Sequence, residues 1–285
     1  KIYTFTLRKG VKWSDGKPLT AADFVFGMRR ALLPATKSPV ASALFPIKYA
    51  REVNSGSAAA DFLAVTAVDE ATLRIELSEP NRDFLRTLAT ACAMPCREDF
   101  FEESAGRYGM GKDTVIANGP FAVRRWNEDQ IISLVKNNKY VGEVDARPAA
   151  VAFSLDETEE ERILRLKNSE TDLGSIDGQQ LQKAVDAGLN HYTDFNTCWA
   201  IYLNPSDKVM ASAVIRTALA ATLNREGYAA TLPGYFQATS ALIPPCNTVG
   251  GSFYRGTADE PDVVTLDEPT AARQYAETIQ SFSTK

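Results

Sequence analysis

Histidine is almost missing: His191 is the only one in 285 residues. No serine sits in a G-x-S-x-G elbow, and neither a P-loop nor a G-x-G-x-x-G run occurs. Enzyme chemistry is thereby reduced to paired carboxylates, for which Asp172 and Asp177 are the nearest candidates, although both read equally well as solvated loop acids. Cysteine is scarce too. Cys92 and Cys96 form a C-x-x-x-C pair, but Cys198 and Cys246 do not supply a second pair at zinc-site spacing, so no metal site is expected. A Cys92–Cys96 disulfide and two plain buried thiols both fit that spacing. Apolar runs such as Ala43 to Ile47 fall far short of the roughly 20 residues that span a bilayer. The formal charge is −5 with both signs mixed along the chain, which offers no field for a nucleic acid backbone. The first residues lack the basic-then-apolar layout of a signal peptide; either a leader has been removed or the sequence begins inside a longer protein.

What is present is enough for a large core: 45% of the residues are hydrophobic, and the length favours two domains over one. Residues 1–8 alternate as a strand with Tyr3, Phe5 and Leu7 on one face, and Ser14-Asp15-Gly16 supplies turn chemistry. Thr20 and Asp23 make a capping box for a helix whose Phe24, Met28, Ala31 and Leu32 form a core stripe ended by Pro34. Residues 36–57 turn to Pro, Ser, Ala and Gly and predict an irregular segment or short helices rather than a strand. Ala64–Ala67 and Leu73–Leu77 read as a hairpin, followed by a helix beginning at Phe84 that ends before Met94-Pro95.

Phe121–Val123 and Ile131–Val135 predict a second hairpin, and Val151–Phe153 a further strand. Ser154 and Glu157 are read as capping a helix that buries Ile163, Leu164 and Leu166, with Glu159, Glu160 and Glu161 on its N-terminal turn. Consecutive glutamates on a helix point in different directions, which argues against one cation held by all three. A short helix over 179–187, a strand over Ala200–Leu203, a helix over 211–223 with Val214, Ala218 and Leu219 inward, and an exposed helix over 270–279 complete the pattern. Strands and helices alternate irregularly and no repeat is visible, which implies mixed α/β layers.

Four segments carry a resemblance that covers nearly the whole chain. They are the run from Tyr3 through Trp13-Ser14-Asp15-Gly16 to Phe24; Asn118-Gly119-Pro120-Phe121 with Trp126 and Lys136–Tyr140; Leu203-Asn204 with Val214–Leu219 and Asn224-Arg225-Glu226; and Ser240–Pro245. In this order they resemble the family 5 extracellular solute-binding proteins, and Ser38-Pro39 with Leu77–Pro80 is similar to the oligopeptide-binding branch. Members of that family begin well before this first strand and continue well past Lys285, so the resemblance implies a middle portion. The fold it implies is α/β, a periplasmic-binding-protein-like two-lobed fold with an extra small α+β domain, truncated at both ends. Residues 1–95 would form the small domain, 96–197 part of the first lobe, and 198–285 the start of the second.

The function implied is capture of an oligopeptide or related small solute between lobes and its delivery to the permease subunits of an ABC importer, outside the cytoplasmic membrane. No cofactor, catalytic residue or nucleic acid partner is implied, and membrane association would run only through a lipid anchor or the permease. Candidate ligand contacts are Pro39, Val40 and Ser42 in the irregular segment, Trp199 at the start of a strand, and Tyr235 and Phe236. Val40 stands where oligopeptide-binding members carry a tyrosine and Leu232 where they carry a lysine, which implies a departure from the usual peptide specificity. Core packing is the commoner role for aromatics such as Trp199 and Phe236. Two other functions remain open: a sensory or scaffolding module on the same fold, and a carboxylate-dependent hydrolase.

Overall fold

The computed structural model describes residues 1–128, 130–155, 158–232, 236–239, 241–249, 252–255 and 268–283. The chain divides into two compact units, Lys1–Asp156 and Glu157–Lys285.

In the first unit, β1 (Ile2–Thr6), β2 (Val65–Ala67) and β3 (Thr72–Glu76) form an antiparallel sheet in the order β1-β3-β2. β3 alternates as expected for a strand with one buried face: Leu73 and Ile75 are buried, and Tyr3 and Phe5 of β1 stand opposite Ile75 and Leu73. The helix α1 (Ala21–Leu32) begins with the Thr20/Asp23 capping box and buries Val25, Met28 and Leu32 against this sheet. Two short helices, α2 (Ala50–Ser55) and α3 (Phe84–Thr87), close the core, in which Phe84, Leu44, Ile47 and Val53 are fully enclosed. The stretch over 36–57 holds a short 3₁₀ turn, Ala41–Leu44, and the short helix α2 instead of a strand, in line with its composition. One helix, α4 (Glu98–Glu103), follows Pro95 and was not foreseen; its acidic residues Glu98 and Asp99 occupy the first turn.

The second sheet of this unit is β4 (Phe121–Asn127), β5 (Ile131–Lys136) and β6 (Ala150–Ser154), antiparallel in that order. The register of β4 on β5 slips between Val123 and Arg125. The predicted hairpin and following strand are both present. Asn137 pins the sheet to the Gly119-Pro120 corner: its Nδ2–H donates to the Gly119 carbonyl at 2.8 Å and its N–H to the Pro120 carbonyl.

The second unit holds α5 (Glu159–Lys167), α6 (Leu181–Asp186), α7 (Ala213–Thr222), α8 (Arg225–Ala229), a two-residue ladder of β7 (Thr248–Val249) with β8 (Ser252–Phe253), and α9 (Glu268–Ser283), which packs along α7. Three expectations are corrected here. The cap of α5 is Thr158 with Glu161, not Ser154 with Glu157. Leu164 is exposed, and only Ile163 of that helix is fully buried. On α7 the inward residues are Ile215 and Ala218, whereas Val214 is exposed. The acidic run at the start of α5 divides its work as helix geometry requires: Glu159 accepts from the Asp177 N–H, Glu160 pairs with Lys183, and Glu161 closes the capping box. Among the described residues no helix is long and apolar enough to cross a membrane.

Candidate functional site

The segment carrying Pro39, Val40 and Ser42 is fixed at both ends. Behind it, the C-terminus of α1 is closed by Thr36, whose hydroxyl donates to the Arg30 carbonyl, and by Asn54, whose Nδ2–H donates to the Leu32 carbonyl. Lys37 takes a left-handed conformation (φ 49°) and turns the chain away from the helix axis. A 3₁₀ turn, Ala41–Leu44, then inserts Ala41 and Leu44 into the core and leaves Pro39, Val40 and Ser42 facing out. The three predicted contacts are therefore neighbours on an ordered, exposed rim, with Val40 48% exposed.

Trp199 and Phe236 belong to the second unit, where their rings meet edge to face with centroids 6.3 Å apart. Trp199 is 84% exposed, which overturns core packing for it; Phe236 is half-buried. The loop after Phe236 is gathered by Arg255, whose guanidinium donates to the Thr239 hydroxyl and the Ile243 carbonyl. The strand expected over Ala200–Leu203 does not form. Residues 189–204 carry no regular secondary structure, and Tyr192, Ile201 and Tyr202 are each more than three-quarters exposed. The alternation of that segment is strand-like, but a strand needs a neighbour to satisfy its backbone, and no described segment pairs with it. Tyr235 lies outside the described residues.

Several residues that look chemical in the sequence are structural instead. Trp13 is buried, and its indole N–H donates to Asp23 Oδ2, which also accepts the Thr20 N–H. Burial raises the Asp23 carboxyl above its ordinary value, against the pull of those two donors. The Asp23 carbonyl accepts the Cys96 N–H, so one residue joins the turn, α1 and the start of α4. Gly16 has a left-handed φ of 93° and makes the turn that was predicted. Asp15 does more than turn the chain: its Oδ2 accepts from Arg97 Nη1 at 2.6 Å, while Arg97 Nε donates to Asp99 at 2.6 Å and Lys17 Nζ to Asp99 at 2.7 Å. Burial pushes Asp15 up, but the bonds from Arg97 and the Lys17 N–H outweigh it and hold the carboxyl low. Asp99, bonded by Lys17 and then Arg97, is lowered to about 2. Sequence reasoning missed this ladder because Arg97 lies 82 positions from Asp15.

Arg216 donates to the carbonyls of Met210 and Ala211 within its own unit. Cys92 and Cys96 are buried free thiols, and Cys198 and Cys246 are also free. Among the described residues no three His, Cys, Asp or Glu side chains converge as a metal site. Asp172 and Asp177 are exposed acids. The arrangement thus offers an exposed indole against a half-buried phenyl ring, and an exposed rim, as surfaces for contact.

Comparison with known proteins supplies the family. The model of the bacterial extracellular solute-binding proteins, family 5 middle region, matches residues 1–278. The oligopeptide-binding protein OppA of Bacillus subtilis is 30% identical over 251 residues, 86% of this chain and 46% of that protein. The periplasmic murein peptide-binding protein MppA of Escherichia coli is 36% identical over 142 residues, 49% of this chain and 26% of that protein. Among solved structures, the substrate-binding domain of an oligopeptide ABC transporter from Bacillus anthracis superimposes with a TM-score of 0.70 at 27% identity, covering 99% of this chain and 56% of that one. The chain spans about half the length of the curated relatives that match most of it. Its mixed α/β layers are those of the periplasmic binding proteins. A family model matching nearly from end to end, and a superposition that runs the whole length, place this chain in the bacterial extracellular solute-binding proteins, family 5.

Proposed function

We propose that the chain is the middle portion of a substrate-binding component of an ABC importer, which captures oligopeptides or a related small solute outside the cytoplasmic membrane and delivers them to the permease. The observation that carries this reading is the edge-to-face pair of an exposed Trp199 and a half-buried Phe236 in a family named for solute binding. An indole left 84% exposed is a costly surface for a domain to keep without a use, and aromatic faces suit apolar or planar groups of a ligand. Relatives named for binding oligopeptides and murein peptides support the peptide class.

In this reading Pro39, Val40 and Ser42 form one contact rim, and Trp199, Phe236 and Tyr235 another. Residues 1–95 act as the small domain, 96–197 as part of one lobe, and 198–285 as the start of the other. A ligand favours closure of the lobes only through contacts it makes better in the closed form, and the permease reads that closure. Backbone contacts to an extended peptide give affinity with loose side-chain selectivity, while Val40 shapes that selectivity differently from a tyrosine.

The test is a thermal-shift screen of the chain and of the full-length gene product against di- to hexapeptides, with sugars, polyamines and nickel as controls. Peptides should raise the Tm of the full-length protein, as any ligand of the folded state does. If no peptide shifts either protein while a protein partner is captured, the fold serves as a scaffold and solute capture is refuted.

A further inference from the structure

Asn118-Gly119 is the only Asn-Gly step in the sequence, and it stands at a corner where two distant parts of the first unit are tied together. On one side, the Ser14 N–H donates to the Ala117 carbonyl at 2.7 Å, and the Ala117 N–H donates to the Ser14 hydroxyl at 3.4 Å. On the other, Asn137, buried just past β5, donates its Nδ2–H to the Gly119 carbonyl and its N–H to the Pro120 carbonyl, each at 2.8 Å. Asn118 alone therefore bridges the turn that carries Trp13 and Asp15 and the sheet of β4, β5 and β6.

Nothing holds the bridging side chain. Asn118 is half-buried, its amide makes no hydrogen bond among the described residues, and the Gly119 N–H has no acceptor among them. A Cβ built on Gly119 would meet nothing within 4 Å, so the space beside that residue is open. Glycine also brings no Cβ of its own to crowd the approach of its nitrogen to a neighbouring carbon. A free side-chain amide, a free backbone N–H one residue on and an uncrowded step between them are what ring closure onto the amide requires. The Asp15-Gly16 step has the same spacing but not the same freedom, because Arg97 Nη1 and the Lys17 N–H hold the two Asp15 oxygens.

We propose that Asn118 deamidates in the folded protein and that the isoaspartate formed there uncouples this corner. The Gly119 nitrogen gives its proton to hydroxide and bonds to Asn118 Cγ; the Cγ–Nδ2 bond breaks, and ammonia leaves with a proton taken from water. The product is a five-membered succinimide, which a second water opens. Attack at Cγ leaves aspartate, whereas attack at the Asn118 carbonyl carbon leaves isoaspartate, with the main chain routed through Cβ and Cγ. Ammonia is lost, one water is gained, and nothing is oxidised or reduced. Isoaspartate lengthens the main chain by one carbon between residues that Ser14 and Asn137 fix on either side, so one of those pairs of hydrogen bonds must give way. A negative charge also replaces a neutral amide. The site is independent of the two rims described for solute contact.

The test is ageing of the full-length gene product, beside a free peptide of residues 115–121, at mildly alkaline pH, with peptide-mapping mass spectrometry as the readout. Asn118 should convert in the folded protein at a rate within about tenfold of the peptide's, since no local structure has to open first. The rate should rise in proportion to hydroxide, and both aspartate and isoaspartate should form. Asn118→Gln, whose longer side chain would have to close a six-membered ring, should stay unconverted. Gly119→Ala fits the open space and should slow conversion about tenfold through its added Cβ. The isoaspartate form, separated by ion exchange, should unfold at lower urea than Asn118→Asp, which carries the same charge on a main chain of ordinary length. If the folded protein converts more than tenfold slower than the peptide, the fold protects Asn118 and deamidation in the native state is refuted. If the isoaspartate form unfolds together with Asn118→Asp, uncoupling of the corner is refuted.

Discussion

At the scale of single residues, the signature run of this chain is an assembly device. Trp13, Asp15, Lys17 and Asp23 all face residues from the 96–99 stretch or α1 rather than a ligand. The consequence for pH has a definite sign. Asp99 is lowered to about 2 in the folded chain against an ordinary 3.8, so its contribution is complete above about pH 4 and disappears as pH falls through about 2. Asp99→Asn should thus lower the urea midpoint at neutral pH, and the gap from wild type should close between pH 4 and 2. Because the carboxylate is 45% exposed, 1 M salt should also narrow that gap. Gly27 gives a second test. A Cβ there would stand 2.5 Å from the Met94 carbonyl oxygen and 3.0 Å from the Cys96 nitrogen, both backbone atoms. Gly27→Ala should therefore destabilise the first unit by about 1–3 kcal/mol in denaturant titration, despite alanine's better helix propensity.

At the scale of elements, local patterns were legible wherever both partners of a contact lie close in sequence. The Thr20/Asp23 cap, the β2–β3 and β4–β5 hairpins and the turn at Gly16 all follow from short-range chemistry. What was illegible depended on distant partners. The ladder from Asp15 to Asp99 spans more than eighty positions, and α4 has no apolar periodicity to announce it. Val214 and Ile215 are adjacent apolar residues, so only the packing of α9 on α7 decides which faces in. Of the candidate contacts, exposure of Pro39, Val40 and Ser42 could be read from a Pro/Ser segment, whereas the exposure of Trp199 could not, because its strand-like alternation implies a sheet. That segment yields a prediction. Amides of 198–203 should exchange with deuterium at rates close to those of an unstructured peptide, while those of Leu73 and Ile75 are protected by global stability. Strong protection at 198–203 in the isolated chain would contradict the unpaired assignment.

At the scale of the whole molecule, the two units differ sharply in what they bury. The first has a continuous core from Ala21 to Ala93, including Phe84, Met28 and Leu32. In the second, the buried apolar residues among those described are Ile163, Ala184, Ile215 and Ala218. Two independent cores of unequal size should unfold at different denaturant concentrations. In a Trp199→Phe variant the remaining indoles, Trp13 and Trp126, report only the first unit. Helical circular dichroism should fall at lower urea than their emission shifts, and coincident curves would show one cooperative unit instead. The strand order β1-β3-β2 bears on how the chain is made. Thr6 pairs with Thr72, so β1 leaves the ribosome long before the strand that holds it. At 5–20 residues per second that interval is roughly 3–13 s, far longer than the microseconds in which the β2–β3 hairpin closes. Throughout it, Tyr3 and Phe5 travel uncovered, which makes the nascent first strand the natural grip for a chaperone.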